Sequence, residues 1–227
     1  MLDISGLPHA VYNQETITTL ISIKKSSLRM KLVIATRNED KLIEIKEIFE
    51  GSSFELSSLN EFPQAPEVEE TGDTLLENAL LKAESAAKAT GLPALADDTG
   101  LFVEALDGEP GVWSSRYAGE NVSYEENREL LLKNLNNVPE AERTAKFVTV
   151  AVFVDEIGHF KAEGEVEGLI TSEPRGTNGF GYDPLFQSIY SEKTFGELTR
   201  SEKRAFSHRG KAFEEMLRIL DTKFLKY

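Results

Sequence analysis

One stretch near the start of the chain constrains the fold most: an apolar run, then a polar turn, then a helical pattern. Residues 32–35 (Leu-Val-Ile-Ala) form a short continuous apolar run, which suits a strand buried in a sheet. Residues 36–38 are polar, and apolar residues then recur at helical spacing over residues 42–49, just before Gly51. A strand that leads through a short turn into a helix is the building unit of α/β proteins.

The remaining patterns extend this unit into a mixed sheet flanked by helices. Two segments rich in β-branched and aromatic residues, separated by a turn at Gly158, predict a long hairpin. Ser and Thr residues followed three positions later by Glu predict helix starts. The predicted elements are a helix over residues 74–90, strands at about 93–97 and 101–106, a helix after Ser123, the hairpin strands 144–154 and 159–170, a short helix after Thr199, and a last helix carrying residues 213–220.

Composition limits the class of protein. The 227 residues, 40% of them hydrophobic, are enough for one sizeable core, which we assign to residues 30–227. Residues 1–29 are polar and without periodicity, and we interpret them as an N-terminal extension. No apolar run reaches the roughly 20 residues that span a bilayer. The chain is therefore expected to be soluble, and its lack of cysteine is compatible with a reducing cytoplasm.

The acidic charge balance argues against two classes of partner. The formal net charge is -14, whereas broad binding to nucleic acid or to an anionic membrane needs a basic surface. A small polyanionic substrate remains compatible with this charge. A few focused Lys and Arg side chains and a divalent metal ion can hold phosphates inside an acidic protein.

The turn between the first strand and helix is a candidate phosphate site. Backbone N–H groups and the positive end of the helix dipole converge there, and Thr36, Asn38 and Lys41 can add hydrogen bonds and charge. The alternative is that Asn38 only caps the helix and that Lys41 is a solvated surface residue.

An acidic segment supplies candidate catalytic and metal-binding groups. Residues 97–100 (Asp-Asp-Thr-Gly) follow a predicted short strand, where adjacent carboxylates point to opposite sides. One carboxylate can then hold Mg²⁺ or accept a proton from water, while a simple turn is the alternative. The run Glu67, Glu69, Glu70 and Asp73 is either a solvated face or the source of one further metal ligand.

Two later segments favour the recognition of a planar ligand. The loop over residues 174–184 interleaves glycines, which allow close backbone approach, with Phe180, a possible stacking surface, and with Asp183, an acceptor. Residues 207–209 (Ser-His-Arg) combine a hydroxyl, an imidazole and a guanidinium group. An ordinary helix start with Ser207 as its N-cap is the alternative for this tripeptide.

Together these motifs resemble the Ham1-like inosine triphosphate pyrophosphatases. The resemblance covers nearly the whole chain from Lys31 onward, with several motifs in the same order and spacing. The matching segments are Thr36-x-Asn38-x-x-Lys41, Glu70-Thr71-Gly72, Glu77-Asn78-Ala79-x-x-Lys82-Ala83, residues 92–101, Pro110-Gly111, Ser115-Arg116-Tyr117, residues 179–184, and Lys203 with Ser207-His208-Arg209.

The resemblance implies a fold, a reaction and an assembly. The fold would be an elongated α/β structure with a long central sheet and two lobes around a cleft. The activity would be the Mg²⁺-dependent hydrolysis of non-standard purine nucleoside triphosphates (ITP, dITP and XTP) to the monophosphate and pyrophosphate, which cleanses the nucleotide pool. A homodimer in the cytoplasm is also implied.

The resemblance assigns roles to individual residues as well. Asp98 would be the general base and a metal ligand, and Glu69 would be the second metal carboxylate, with Glu70 and Glu67 as rivals. Phe180 would stack on the purine. The substrate-binding set it implies, including the whole first loop, is Thr36, Arg37, Asn38, Glu39, Asp40, Lys41, Lys82, Thr99, Phe180, Gly181, Tyr182, Asp183, Lys203, His208 and Arg209.

The chain departs from the family pattern in two places. Arg37 replaces a usual glycine in the first motif, and residues 1–29 have no counterpart in the common core. Two other functions stay open on the sequence: a nucleotide-binding module without turnover, and a related pyrophosphatase acting on modified pyrimidines.

Overall fold

The apolar run near the start of the chain forms an inner strand of a mixed sheet. In the computed structural model, which describes residues 29–224, strand β1 (Met30–Ile34) lies between β2 (Phe54–Ser58) and β3 (Ala94–Val103) and is parallel to both. Side chains of an inner parallel strand are buried on both faces of the sheet. This burial explains why the run is continuously apolar.

The sheet continues beyond β3 through antiparallel strands. Its order is β2-β1-β3-β5-β6-β7, and the short β4 pairs with β3 off this path. The remaining strands are β4 (Pro110–Gly111), β5 (Thr144–Val154), β6 (His159–Ile170) and β7 (Phe186–Ser188), and the helices are α1 (Glu39–Ile48), α2 (Leu75–Thr90), α3 (Tyr124–Asn134), α4 (Arg200–Arg204) and α5 (His208–Phe224). The predicted α/β fold, a long mixed sheet flanked by helices, is confirmed.

The hairpin of β5 and β6 is confirmed with its predicted bounds. The two strands pair over their length, from Thr144 opposite Leu169 to Val154 opposite His159. β5 also pairs with the whole of β3, from Ala94 opposite Val154 to Val103 opposite Ala145. These long ladders make β3 and β5 the central strands of the sheet.

The predicted break after residue 97 is wrong. Residues 97–100 are not a turn at a strand end but the middle of β3, where Asp98 lies opposite Val150 and Thr99 lies opposite Thr149. The predicted second strand also ends early, because residues 104–106 form a 3₁₀ turn. Continuous pairing with β5 satisfies the backbone hydrogen bonds of this polar segment and keeps it extended.

The helix starts follow the predicted caps, with one difference at the last helix. The capping boxes of Ser123 with Glu126 and of Thr199 with Glu202 are both formed. The Ser207 hydroxyl accepts a hydrogen bond from the Gly210 amide at 3.1 Å, as an N-cap does. Residues 208–210 are therefore the first turn of α5, which begins before the residues 213–220 that the pattern indicated.

Alternation along the strands sends neighbouring side chains to different helices. Leu32 and Leu95 belong to the core cluster that contains the apolar faces of α1 and α5, whereas Val33 and Ala96 pack with α2. A third cluster around Phe147 fills the space near α3 and the loop before β7. This alternation carries through β3 to Asp97 and Asp98.

Two findings concern the ends of the chain and membranes. The predicted N-terminal extension lies, apart from Arg29, outside the described residues. Within residues 29–224, no helix is both long and apolar enough to cross a membrane.

Candidate active site

Two adjoining cavities open on the middle of β3. The first, the apolar cavity, has a mostly apolar surface, with Lys41, Lys203 and Arg209 among its lining residues. The second is lined by three cations, Arg37, Lys41 and Lys82, and by three carboxylates, Glu67, Glu70 and Asp97. Asn38, Lys41, Glu70 and Ser115 line both cavities. The predicted site residues that line the first cavity are Asn38, Lys41, Asp98, Thr99, Phe180, Gly181, Tyr182, Asp183, Lys203, His208 and Arg209. Those that line the second are Thr36, Arg37, Asn38, Lys41 and Lys82.

Asp98 faces α2 and forms a cluster with Lys82 and Glu70. The Lys82 ammonium lies 2.8 Å from Asp98 Oδ1 and 2.7 Å from Glu70 Oε1. Asn78 donates a longer hydrogen bond of 3.4 Å to the other Asp98 oxygen. Two carboxylates thus share one cation at the junction of the cavities.

Burial raises the pKa of Asp98, and the Glu70 carboxylate adds to this effect, although Lys82 and Lys41 oppose it. A carboxylate with a raised pKa is a stronger proton acceptor than an exposed one. Asp98 is therefore suited to general-base chemistry at the junction of the cavities.

Asp97 faces the opposite side of the sheet, towards α1 and α5. Its Oδ2 atom lies 3.1 Å from Lys41 Nζ and accepts a hydrogen bond of 3.1 Å from Arg209 Nη2. Although burial works in the other direction, these cations hold the pKa of Asp97 well below its usual range. The prediction that the adjacent carboxylates point to opposite sides is confirmed, and Asp97 orients two cations.

The loop before α1 has both a structural and a cavity-lining role. Asn38 Oδ1 accepts hydrogen bonds from the amides of Asp40 and Lys41, so Asn38 caps α1 as the alternative interpretation expected. Lys41, in contrast, is not a solvated surface residue, and burial lowers its pKa. Arg37 donates to the carbonyl oxygen of Ala65 at 2.9 Å and so ties the loop to the segment before Glu67.

The glycine-rich loop places Phe180 over two cations. Asp183 Oδ2 accepts a hydrogen bond from the Phe180 amide at 2.9 Å and contacts Lys203 Nζ at 2.6 Å. The Lys203 ammonium and the Arg209 guanidinium group lie 5.1 and 5.5 Å from the Phe180 ring centroid. Gly179 allows this geometry, because its φ is +70° and a Cβ there would lie 2.0 Å from Asp183 Oδ2.

His208 and Tyr182 complete the apolar cavity. The His208 ring stacks on Phe147 with centroids 4.5 Å apart, and burial, together with Arg209 and Lys203, holds its pKa well below its usual range. This environment favours the neutral form of the His208 imidazole. The Tyr182 hydroxyl donates to the carbonyl oxygen of Ser114 at 3.0 Å, and burial raises its pKa.

Three predicted residues lie outside both cavities. Glu39 and Asp40 are exposed in the first turn of α1, where Glu39 accepts a hydrogen bond from Asn60 and Asp40 lines a separate side cavity. Glu69 is exposed as well, whereas its rivals Glu70 and Glu67 line the second cavity. Only Glu70 contacts Lys82 beside Asp98.

Three residues of this region were absent from the predicted set. Glu44 accepts hydrogen bonds from Lys203 at 2.8 Å and from Arg209 at 2.7 Å, which joins two of the predicted substrate-binding cations. Its position three residues after Lys41, on the buried face of α1, was a usable signal. Arg116, which binds Glu70, and Tyr124, which faces Phe180, reach the site only through the tertiary fold.

Comparisons with known proteins show similarity to one family. The model of the Ham1 family matches residues 32–219. A dITP/XTP pyrophosphatase of Geobacter sulfurreducens is 54% identical over 183 residues, which cover 80% of this chain and 92% of the relative. The dITP/XTP pyrophosphatase of Thermoanaerobacter pseudethanolicus is 46% identical over 187 residues, covering 82% of this chain and 94% of the relative.

Solved structures show the same fold. A HAM1 protein from Coxiella burnetii superposes with a TM-score of 0.78 at 42% identity, and the Staphylococcus aureus Ham1 protein with 0.75 at 41%. In both cases the similarity covers 85% of this chain and 99% of the other. With the family model matching most of its length, the chain belongs to the Ham1 family, whose relatives named above are dITP/XTP pyrophosphatases.

Proposed function

We propose that the protein hydrolyses non-standard purine nucleoside triphosphates (ITP, dITP and XTP) to the monophosphate and pyrophosphate. The observation that carries this proposal is the junction at Asp98. There, the cavity that contains Arg37, Lys41 and Lys82 meets the apolar cavity beside a buried carboxylate of raised pKa. A nucleoside triphosphate has the same two parts, an aromatic base and a polyanionic chain, joined where hydrolysis occurs.

The second cavity supports binding of the triphosphate. Lys41 and Lys82 lie at its wall, and Thr36 and Arg37 line it beside them. Cationic side chains that are already partly buried interact more strongly with phosphate oxygens than exposed ones do. Glu39 and Asp40, which lie outside this cavity, have no part in the proposal.

The residues at the junction fit a divalent metal ion. Among residues 29–224, no group of three or more His, Asp or Glu side chains is arranged to bind a metal, but Glu70 and Asp98 already share one cation. Mg²⁺ in phosphate sites takes one or two carboxylates, with water and substrate oxygens as further ligands. Glu70 and Asp98 would hold Mg²⁺, which would neutralise charge on the phosphate oxygens. Glu70 therefore replaces Glu69 in the proposal.

Asp98 acts as the general base in this proposal. It accepts a proton from the attacking water. The water oxygen bonds to the α phosphorus as the bond from that atom to the oxygen bridging the α and β phosphates breaks. Pyrophosphate leaves with the bridging oxygen. Burial of Asp98 supports the role because a raised pKa favours proton acceptance.

The apolar cavity supports binding of a 6-keto purine. Phe180 offers a stacking surface, and His208 and Arg209 line the cavity. Within residues 29–224, the buried His208 Nδ1 and Arg209 Nε atoms have no hydrogen-bond partner, so polar atoms of a base can supply one. Arg209 donates only, which favours a keto oxygen and disfavours the amino group of adenine by about 1–3 kcal/mol.

A substrate panel tests the proposal. The protein is incubated with Mg²⁺ and ITP, XTP, dITP, GTP, ATP or dUTP, and pyrophosphate release is measured. Release should be fast with the first three and slow with ATP. Asp98→Asn should lower kcat by about 10²- to 10⁴-fold, whereas Asp221→Asn, which changes an Asp of α5 outside both cavities, should not.

Three outcomes would contradict the proposal. Equal rates on ATP and ITP would remove the selectivity, and preference for dUTP would favour the pyrimidine alternative. Binding of ITP without any pyrophosphate release would favour a nucleotide-binding module. The family resemblance also implies a homodimer in the cytoplasm, which sedimentation of the purified protein and fractionation of the host cell would test.

A further inference from the structure

We infer that Tyr124 is the movable wall of the apolar cavity and contacts the outer face of the bound base, a specificity role that rests on the proposed function. Tyr124 is the first residue of α3, and its side chain is 40% exposed at the cavity. Its ring lies 5.9 Å from that of Phe180, centroid to centroid, and its hydroxyl accepts a hydrogen bond of 2.9 Å from Asn38 Nδ2. Tyr124 thus connects the loop that caps α1 with the loop proposed to bind the base.

The separation of the two rings indicates that one of them must move. A flat base between two rings needs about 7 Å, which is twice a contact distance of about 3.5 Å. The rings of Tyr124 and Phe180 are closer than this and are inclined by 43°. A purine can therefore lie between them only after one ring swings outward.

Phe180 is the ring that the structure holds in place. Its amide is bound by Asp183, and the cations of Lys203 and Arg209 lie within 5.5 Å of its ring centroid. Asp183, Lys203 and Arg209 are buried, so displacement of the half-buried Phe180 ring would disturb contacts with several charged groups at once.

Tyr124 is the ring that is free to move. The hydrogen bond from Asn38 is the only one that its side chain makes in the described part of the chain, and this bond is exposed to solvent. The backbone beneath it is anchored, because Asn127 donates to Ser115 and Arg128 donates to the carbonyl oxygen of Gly181 at 2.8 Å. Rotation of one side chain therefore opens the cavity without displacement of α3.

Binding measurements test this role without requiring turnover. The dissociation constants of IMP, which has a base, and of inorganic tripolyphosphate, which has none, are measured by calorimetry in Mg²⁺ buffer. Tyr124→Ala should weaken IMP binding by between about fivefold and a hundredfold, since stacking on an aromatic side chain is lost. Its dissociation constant for tripolyphosphate should stay within about twofold of the wild-type value.

A second variant distinguishes the contribution of the Tyr124 ring from that of its hydroxyl. Tyr124→Phe keeps the stacking surface and frees it from Asn38, so IMP should bind as tightly as to the wild type or up to about tenfold more tightly. Tyr190→Ala is the matched control, because Tyr190 is 59% exposed and lines neither cavity of the candidate site. It should bind both ligands as the wild type does.

Each contrary result has a distinct meaning. The role of the ring would be overturned if Tyr124→Ala bound IMP as tightly as the wild type does, or if it bound IMP and tripolyphosphate more weakly by the same factor. It would also be overturned if Tyr124→Phe weakened IMP binding as much as Tyr124→Ala does, or if the wild type did not bind IMP. A wild type that binds IMP but releases no pyrophosphate from ITP would refute the proposed function and leave the inference on Tyr124 standing.

Discussion

Removing the charge of Glu44 should destabilise the protein far more than removing the charge of Glu47 one turn away. Glu44 contacts Lys203 and Arg209, whose side chains are only 4% and 2% exposed. Glu44→Gln replaces a carboxylate oxygen with an amide donor that faces one of these cations. Loss of one partner from a buried ion pair costs about 3–5 kcal/mol.

The expected loss lies near the lower end of that range. Lys203 keeps Asp183 as a partner, and Arg209 keeps Asp97, so neither cation becomes wholly uncompensated. A loss of about 3 kcal/mol in the free energy of unfolding corresponds to a decrease in Tm of about 6–12 °C for a domain of this size. Calorimetry and urea unfolding would measure both values.

Glu47→Gln is the matched control on the same helix. Glu47 pairs with Arg200 at 3.0 Å, but both side chains are more than a third exposed. Such a surface pair contributes less than about 1 kcal/mol. Equal, small losses for the two variants would refute the reasoning that the Glu44 cluster behaves as a buried network.

The pH dependence gives a further check on Glu44. Burial acts to raise the pKa of Glu44, but Lys203 and Arg209 outweigh it and lower the pKa below its ordinary value of 4.5. A lowered pKa stabilises the folded state above the unfolded-state value, and this contribution is lost as pH falls through the folded-state value. The advantage of wild type over Glu44→Gln should therefore be full well above pH 4.5 and shrink well below it.

Two further predictions concern the metal and the glycine-rich loop. Glu70→Gln should raise the Mg²⁺ concentration needed for half-maximal activity, whereas Glu69→Gln should not. A Mg²⁺ titration of the activity measures this. A larger effect of Glu69→Gln would make Glu69, not Glu70, the second metal ligand. Gly179→Ala should weaken IMP binding, measured by calorimetry, because its Cβ meets the Asp183 carboxylate. Gly181→Ala, with φ +57° and no atom within 4 Å of its Cβ, introduces the backbone strain alone, so equal losses for the two variants would argue against the clash.

The fold could be predicted where the signal is local. The strand, turn and helix over residues 30–48 follow from apolar spacing and a capping residue, and the hairpin over residues 144–170 follows from residue type and a glycine turn. Patterns of this kind depend on neighbours within a few positions. The bounds of these elements in the structure differ little from those expected.

The polar middle of β3 could not be predicted in the same way. Two Asp residues followed by Thr and Gly are typical of a turn, because they are costly to bury and their side chains bond to nearby backbone. Here Lys41, Lys82 and Arg209 offset that cost, and they come from three helices distant in sequence. A local sequence pattern does not indicate which distant residues will be such partners.

The candidate site could likewise be predicted only in part. The family resemblance implied that residues such as Phe180 and Lys203 bind the substrate, but it did not separate Glu70 from Glu69, because adjacent residues in an irregular segment have no fixed periodicity. The contact between Tyr124 and Phe180 joins residues 56 positions apart and depends on how α3 packs. Distance along the chain, rather than residue type, limits such predictions.

The opposite orientations of Asp97 and Asp98 make the register of β3 a condition for any chemistry at this cleft. A slip of one residue against β5 would send each carboxylate to the other face of the sheet, so that the proposed base would meet Arg209 and its neighbour would meet Lys82. Ten paired positions with β5 oppose that slip. Insertions and deletions should therefore be tolerated in the loops around this strand but not within it.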